Sequence, residues 1–286
     1  MKKLILLFLV LQFNVPLWAQ QIQFGQAEDS LFTLQQMVKE ASEDAVKLQL
    51  NRTFQSVLKQ TLLLPNSINY PFDSLKSIAI LSPKDNSFRI FNWELSLTDN
   101  SILYFGMIQT YNKVKQKFEI TELTDQSLSL KRPENQQLDA ANWYGAHYYK
   151  LIETQFRKSI FRKNASNNKK YYTLLGANWS NLLIRKKIID VLVIGKDGKI
   201  KFGENVFLTN KNSSRRVIFS YSSEVSCSLR YDENKGLILV DHLVPREANL
   251  TGQYEFYGPD MSIDAYDFVK GKWLYKADVD ARNEKR

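Results

Sequence analysis

Apolar positions in the first quarter of the chain recur every three or four residues. Leu31, Leu34, Val38, Ala41 and Ala45 are followed by Val46, Leu50, Phe54, Val57, Leu58 and Leu62, the spacing of one face of an amphipathic helix. Asp29 is the expected N-cap, and Pro65-Asn66 the stop. The pattern predicts one long helix over residues 29–64, or a helical hairpin broken near Ser42. Such a stripe packs on the protein's own core, or, in the second reading, on a partner.

From Ile78 onward the period changes to two. Phe88–Leu95 and Ile102–Ile108 carry the aromatic and β-branched content of strands, and Thr98-Asp99-Asn100 between them predicts a hairpin. Further strands are expected at Lys117–Leu123, Trp143–Ile152, Tyr171–Leu175, Ile188–Ile194, Lys199–Phe207, Val217–Tyr221, Val225–Tyr231, Leu237–Leu243, Gln253–Tyr257 and Trp273–Ala277. Short turns such as Lys196-Asp197-Gly198, Asp232–Gly236 and Lys270-Gly271-Lys272 join several of them. The fold class is therefore mainly β: an antiparallel meander closing as a sandwich, a barrel or a propeller-like body, with an N-terminal helix or helical hairpin. No Pro/Gly/Ser-rich linker divides it. The expected organisation is a signal peptide over 1–19, a helical segment over 20–66 and one β domain over 67–286.

The signal peptide rests on Lys2 and Lys3, the apolar run Leu4–Leu11, and Pro16-Leu17-Trp18-Ala19, with cleavage expected after Ala19. The apolar run is too short to span a bilayer, which takes roughly 20 residues, and no transmembrane segment is expected after cleavage. No cysteine lies near the cleavage point to accept a lipid, so the expected location is periplasmic or extracellular.

The segments FRIFNWELSL (88–97), NWYGAHYYKLI (142–152), RKKIIDVLVI (185–194), SLRYDENKGLILVDHLVP (228–245) and GQYEFYGPDMSIDAYDFVKGKWLYKADVDARN (252–283) resemble an uncharacterised family of secreted proteins from Bacteroidota-type bacteria. The resemblance implies export from a Gram-negative cell; it implies no activity, cofactor or site residue.

With 44% hydrophobic residues and 11 Gly and 7 Pro among 286, the chain has enough apolar material for a packed core. The formal charge is +9; without Lys2 and Lys3, 37 basic residues face 30 acidic ones. Nine of the basic residues lie between Phe156 and Lys187 with no acidic residue among them, so the remainder is slightly acidic. Arg162, Lys163, Lys169 and Lys170 are the candidate anion-binding residues of that segment, which reads either as a dock for an anionic envelope component or as a solvated hairpin loop. Nucleic acid is not expected of an exported chain without a zinc-finger or RNP-type motif.

The signatures G-x-S-x-G, H-E-x-x-H, C-x-x-C, G-x-G-x-x-G and G-x-x-x-x-G-K-[ST] do not occur. The single cysteine, Cys227, alternates with Val225, Leu229 and Tyr231 and is expected in the core. There are two histidines, His147 and His242; Asp241 cannot orient His242 within one strand because neighbours point to opposite faces. Asp278–Asn283 fails as a calcium loop, with Arg282 in a ligand position and Asn283 in place of the turn glycine. Asp197 and Asp232 are expected to cap their own turns, and Asp190, inside an apolar strand, reads as a buried carboxylate that is either hydrogen-bonded to a neighbouring turn or catalytic. No metal or cofactor is implied.

The candidate ligand-binding residues are Tyr257, Asp260, Asp264 and Tyr266, with Trp143 and Tyr144 adding aromatic surface. Aromatic faces stack on sugars while carboxylates accept hydroxyl hydrogen bonds, which suits a glycan or a peptide; the competing reading is a strand with an aromatic core face followed by a Gly-Pro-Asp turn. The expected function is a non-enzymatic binding or interaction protein. The alternative is a secreted hydrolase acting on glycans or peptides.

Overall fold

The computed structural model describes residues 17–154, 170–195, 197–209 and 212–280. Two helices, α1 (Leu17–Glu40) and α2 (Asp44–Leu62), pack against each other across a three-residue bend at 41–43, so the hairpin is the form adopted. α1 starts well before Asp29, which lies inside the helix with its carbonyl accepting from Thr33 Oγ1 at 2.8 Å. Tertiary contacts extend the helix backwards. Phe24 is buried on the Tyr70 ring, 5.0 Å between centroids, and Glu28 accepts from Tyr70 Oη and from the Ser74 amide. A helix whose early turns are packed needs no cap at Asp29.

The first sheet is an antiparallel meander of β1 (Ala79–Leu81), β2 (Phe88–Ser96), β3 (Ile102–Asn112) and β4 (Lys117–Thr124), in that order. Alternation divides its side chains between two cores. Phe91, Trp93 and Met107 meet Leu31, Phe54, Leu58 and Leu62 of the helices. Phe88, Ile90, Tyr104 and Ile108 face the second sheet.

That sheet contains β5 (Leu138–Asp139), β6 (His147–Thr154), β7 (Tyr171–Asn178), β8 (Ile184–Ile194) and β9 (Ile200–Phe202), ordered β5-β9-β8-β7-β6. After β10 (Phe207–Leu208) and β11 (Ser213–Ser214), β12 (Val217–Ser222) returns to pair with the first half of β8, leaving β9 the second half. The third sheet has the order β11-β10-β16-β15-β14-β13, from β13 (Leu229–Asp232), β14 (Leu237–Pro245), β15 (Tyr257–Val269) and β16 (Lys272–Lys276) together with β10 and β11. The second and third sheets share a core of Leu175, Ile189, Val191, Phe207, Ile238, Val240, Tyr266 and Trp273. The helices and the three sheets thus pack around three cores, and among the described residues no sheet closes into a barrel.

Residues 254–256, expected to be strand, form a 3-10 turn, and the expected Gly-Pro-Asp turn lies instead within β15. Proline is tolerated there because β16 covers only Ala265–Val269, so this half of β15 has a free edge and needs no donor from Pro259. Trp143–Ala146 precedes β6 as a buried segment bridged to Asp125, and the strand expected from Val225 starts only at Leu229. No described helix is long and apolar enough to cross a membrane.

Candidate binding cleft

The helical hairpin covers the first sheet unevenly. Near the ends of α2 and α1 that hold Leu58, Leu62 and Leu31, packing is complete. Towards the bend the helices part from β2 and leave a cavity of about 410 Å³, within the range of small-molecule sites. α1 contributes Phe32, Gln35 and Val38, α2 contributes Asn51 and Phe54, the segment before β1 contributes Ser74 and Ile78, and β2 contributes Trp93 and Leu95. Phe32 is 42% exposed, an aromatic ring standing beside the packed stripe rather than in it.

The floor is rigid. The Trp93 indole donates to Asn51 Oδ1 at 2.8 Å, while its ring meets Phe54 edge-on at 5.3 Å and stacks on Phe105 at 5.9 Å. The bend is fastened to the sheet by Asp44, which accepts from the Thr98 amide and hydroxyl, and by Lys47, which donates to the Ser96 carbonyl at 3.1 Å. Three lysines, Lys39, Lys47 and Lys76, line the cleft, and Glu94 is the one acidic residue that does. Strand parity turns the Glu94 side chain to the opposite face, where its Oε2 lies 3.8 Å from His147 Nδ1. Burial pushes the Glu94 carboxyl pKa up and the His147 imidazole pKa down.

A second crevice of about 330 Å³ lies between the β2–β3 and β7–β8 turns, lined by Ile102, Trp179, Leu182 and Arg185 among others. Trp179 is the one aromatic residue of its lining.

The six residues expected to share a ligand site are not brought together. Trp143 and Tyr144 are buried in the core between the first and second sheets, and Tyr266 in the core between the second and third. Their rings fill space between sheets: Tyr266 takes an inward position of β15, and Trp143 and Tyr144 lie in the buried segment before β6. Tyr257 Oη accepts from the Gly252 amide, and Asp260 accepts from the Ser262 amide and hydroxyl, capping its own bulge. Asp264 is buried and accepts from His242 Nδ1 at 2.8 Å, Tyr275 Oη at 2.8 Å and the Asp278 amide at 3.2 Å. The hydrogen bond to Asp264 holds the His242 pKa above its ordinary value. His242 is thus oriented by a carboxylate from the neighbouring strand, at a bulge where Met261 adopts φ 76°. Asp241 points away and accepts from the Ser228 amide.

Of the expected anion-binding residues, Arg162, Lys163 and Lys169 lie outside the described residues. Lys170 is engaged by Asp85 at 2.9 Å and Glu153 at 3.4 Å and sits over the Tyr172 ring. Cys227 is buried, and burial raises its thiol pKa to about 12, so it carries little thiolate near neutrality. Asp197 and Asp232 cap their own turns. No group of three His, Cys, Asp or Glu side chains able to hold a metal occurs among the described residues.

Comparison with protein-family models, with curated proteins and with solved structures finds no match to this chain.

Sequence reasoning missed Phe32, Lys39, Lys47, Lys76 and Trp93 as a group. One signal was available: Phe32 falls beside the stripe of Leu31, Leu34 and Val38, an aromatic placed where a helix ordinarily turns to water. Nothing in the sequence placed Trp93 beneath it.

Proposed function

We propose that this is an exported, non-enzymatic binding protein that holds the apolar body of a small ligand in the cleft between the helical hairpin and the first sheet. The observation that carries the reading is the 410 Å³ cavity floored by Trp93, Phe54 and Ile78 with Phe32 exposed at its wall. Trp93, Phe54 and Ile78 are largely buried already and Phe32 is the exposed apolar ring of the cleft, so a ligand that covers it gains from burial. A glycan fits less well, since Trp143, Tyr144 and Tyr266, three of the four aromatic residues expected to stack on sugar, are core residues. Export rests on the basic, apolar and small-residue parts of residues 1–19.

The test uses the exported form, whose intact mass should lack residues 1–19, and Nile red, a neutral dye that brightens in apolar surroundings. Ser77 and Gln35 line the cleft. Ser77→Trp or Gln35→Trp should fill it and reduce dye binding at least tenfold. Val114→Trp, on a turn where Val114 is 94% exposed, should leave binding unchanged. Equal binding by all three variants would refute the cleft as the site.

The second reading, a hydrolase, has one observation in its favour, the His242–Asp264 pair. A nucleophile must be hydrogen-bonded to such a base, and the serine across the bulge, Ser262, donates its hydroxyl to Asp260 instead.

A further inference from the structure

We infer that the ligand of this cleft is a single-chain amphiphile with an anionic head group, the chain lying over Trp93 and the head held among Lys39, Lys47 and Lys76. The inference rests on the cleft being a binding site and adds the chemistry of what enters it.

Two features of different kind converge. Phe32, Phe54, Ile78, Trp93 and Leu95 form most of the apolar part of the lining, over which a hydrocarbon chain gains by burial, and polar side chains make up the rest. The lining also carries three cations and one acid, and that acid is turned through the sheet towards His147. Glu40, the last residue of α1, and Glu43, on the bend, are not among the lining residues, and Asp44 is committed to Thr98. The lysines come from three separate places, the end of α1, the first turn of α2 and the segment before β1. The fold alone collects them at one opening. Residues 20–78 as a whole hold six acidic and five basic residues, so the excess of cations belongs to the cleft and not to the region. A partly apolar cleft with three lysines among its lining residues is complementary to a carboxylate or phosphate on a hydrocarbon chain. It repels a quaternary ammonium on the same chain and gains nothing from a hydroxyl beyond the chain itself.

The experiment displaces Nile red from the exported protein with dodecanoate, dodecanol and dodecyltrimethylammonium, each below its micelle concentration, at low and high salt. Dodecanoate should compete about tenfold better than dodecanol, as expected from a few partly exposed ion pairs, and the cationic amphiphile should compete worst. High salt should narrow the differences. Lys39→Gln/Lys76→Gln, which leaves the Lys47 contact to Ser96 intact, should bring dodecanoate towards dodecanol while dodecanol itself is unchanged; thermal melting checks that the variant is folded. If dodecanol already equals dodecanoate, the head-group inference fails while the cleft remains a binding site. If none of the three displaces the dye, both fail. If the protein binds anionic vesicles but not monomeric dodecanoate, and Ser77→Trp binds the vesicles equally, the lysines act as a membrane-facing charge patch and the inference is overturned.

Discussion

Two buried arginines show how single residues hold this fold. Arg89 is 4% exposed and has no carboxylate partner among the described residues; it donates to the carbonyls of Tyr70 and Ser67 and to Gln109 Oε1, and lies between the rings of Phe72 and Phe91. Burial lowers its pKa to about 10, still far above neutrality. Arg216 is fully buried and meets Asp190 Oδ2 at 2.9 Å, with Tyr148 Oη donating to the same oxygen at 3.3 Å and the Pro133 carbonyl accepting a further bond. Gly203 makes room for it: φ is 81°, and a Cβ there would lie 2.7 Å from the Gln136 carbonyl and 3.1 Å from the guanidinium. Removing one member of a buried pair leaves an uncompensated charge. Asp190→Asn should therefore cost about 3–5 kcal/mol in urea unfolding, and adding Arg216→Met should recover part of it. A loss under about 1 kcal/mol would mean that the pair contributes little. Asp190 was legible as a buried carboxylate. Its partner was not, because Arg216 comes from the chain leading into β12, which reaches β8 only through sheet pairing.

Among the elements, β14 and β15 are tied by backbone pairing and by the His242–Asp264 contact at their bulge, which also gathers Tyr275 of β16 and the Asp278 amide. The folded pKa of His242 is raised above the unfolded 6.5. Its contribution to stability is therefore fully present below 6.5 and is lost as pH rises through the folded value. The stability gap between the natural protein and His242→Gln should be larger at about pH 6 than at about pH 9. A gap that grows with pH would contradict the assignment. Element type was readable where the apolar period was clean, as in β2, β3, β4 and β8. It failed at 254–256, where aromatic content suggested a strand but the backbone turns, and at Asp29, where a cap residue was overridden by packing of Phe24 and Glu28 on the loop below.

At the scale of the molecule, the mainly-β body with its helical hairpin was legible, because period and turn chemistry act locally. Its division into three sheets was not, since the β8–β12 and β10–β16 pairings join segments with uneven spacing. The same limit explains the site. Aromatic and acidic residues adjacent in sequence were dispersed into different cores, whereas the cleft is assembled from the two helices, a connecting segment and a strand. The central claim is that an apolar-bodied ligand lies between the hairpin and the first sheet, and hydrogen exchange of the exported protein with and without saturating dodecanoate tests it most directly. The account predicts added protection in residues 32–39, 47–54, 74–78 and 93–96. Protection centred instead on Ile102, Trp179 and Leu182, or none at all despite saturation, would contradict it.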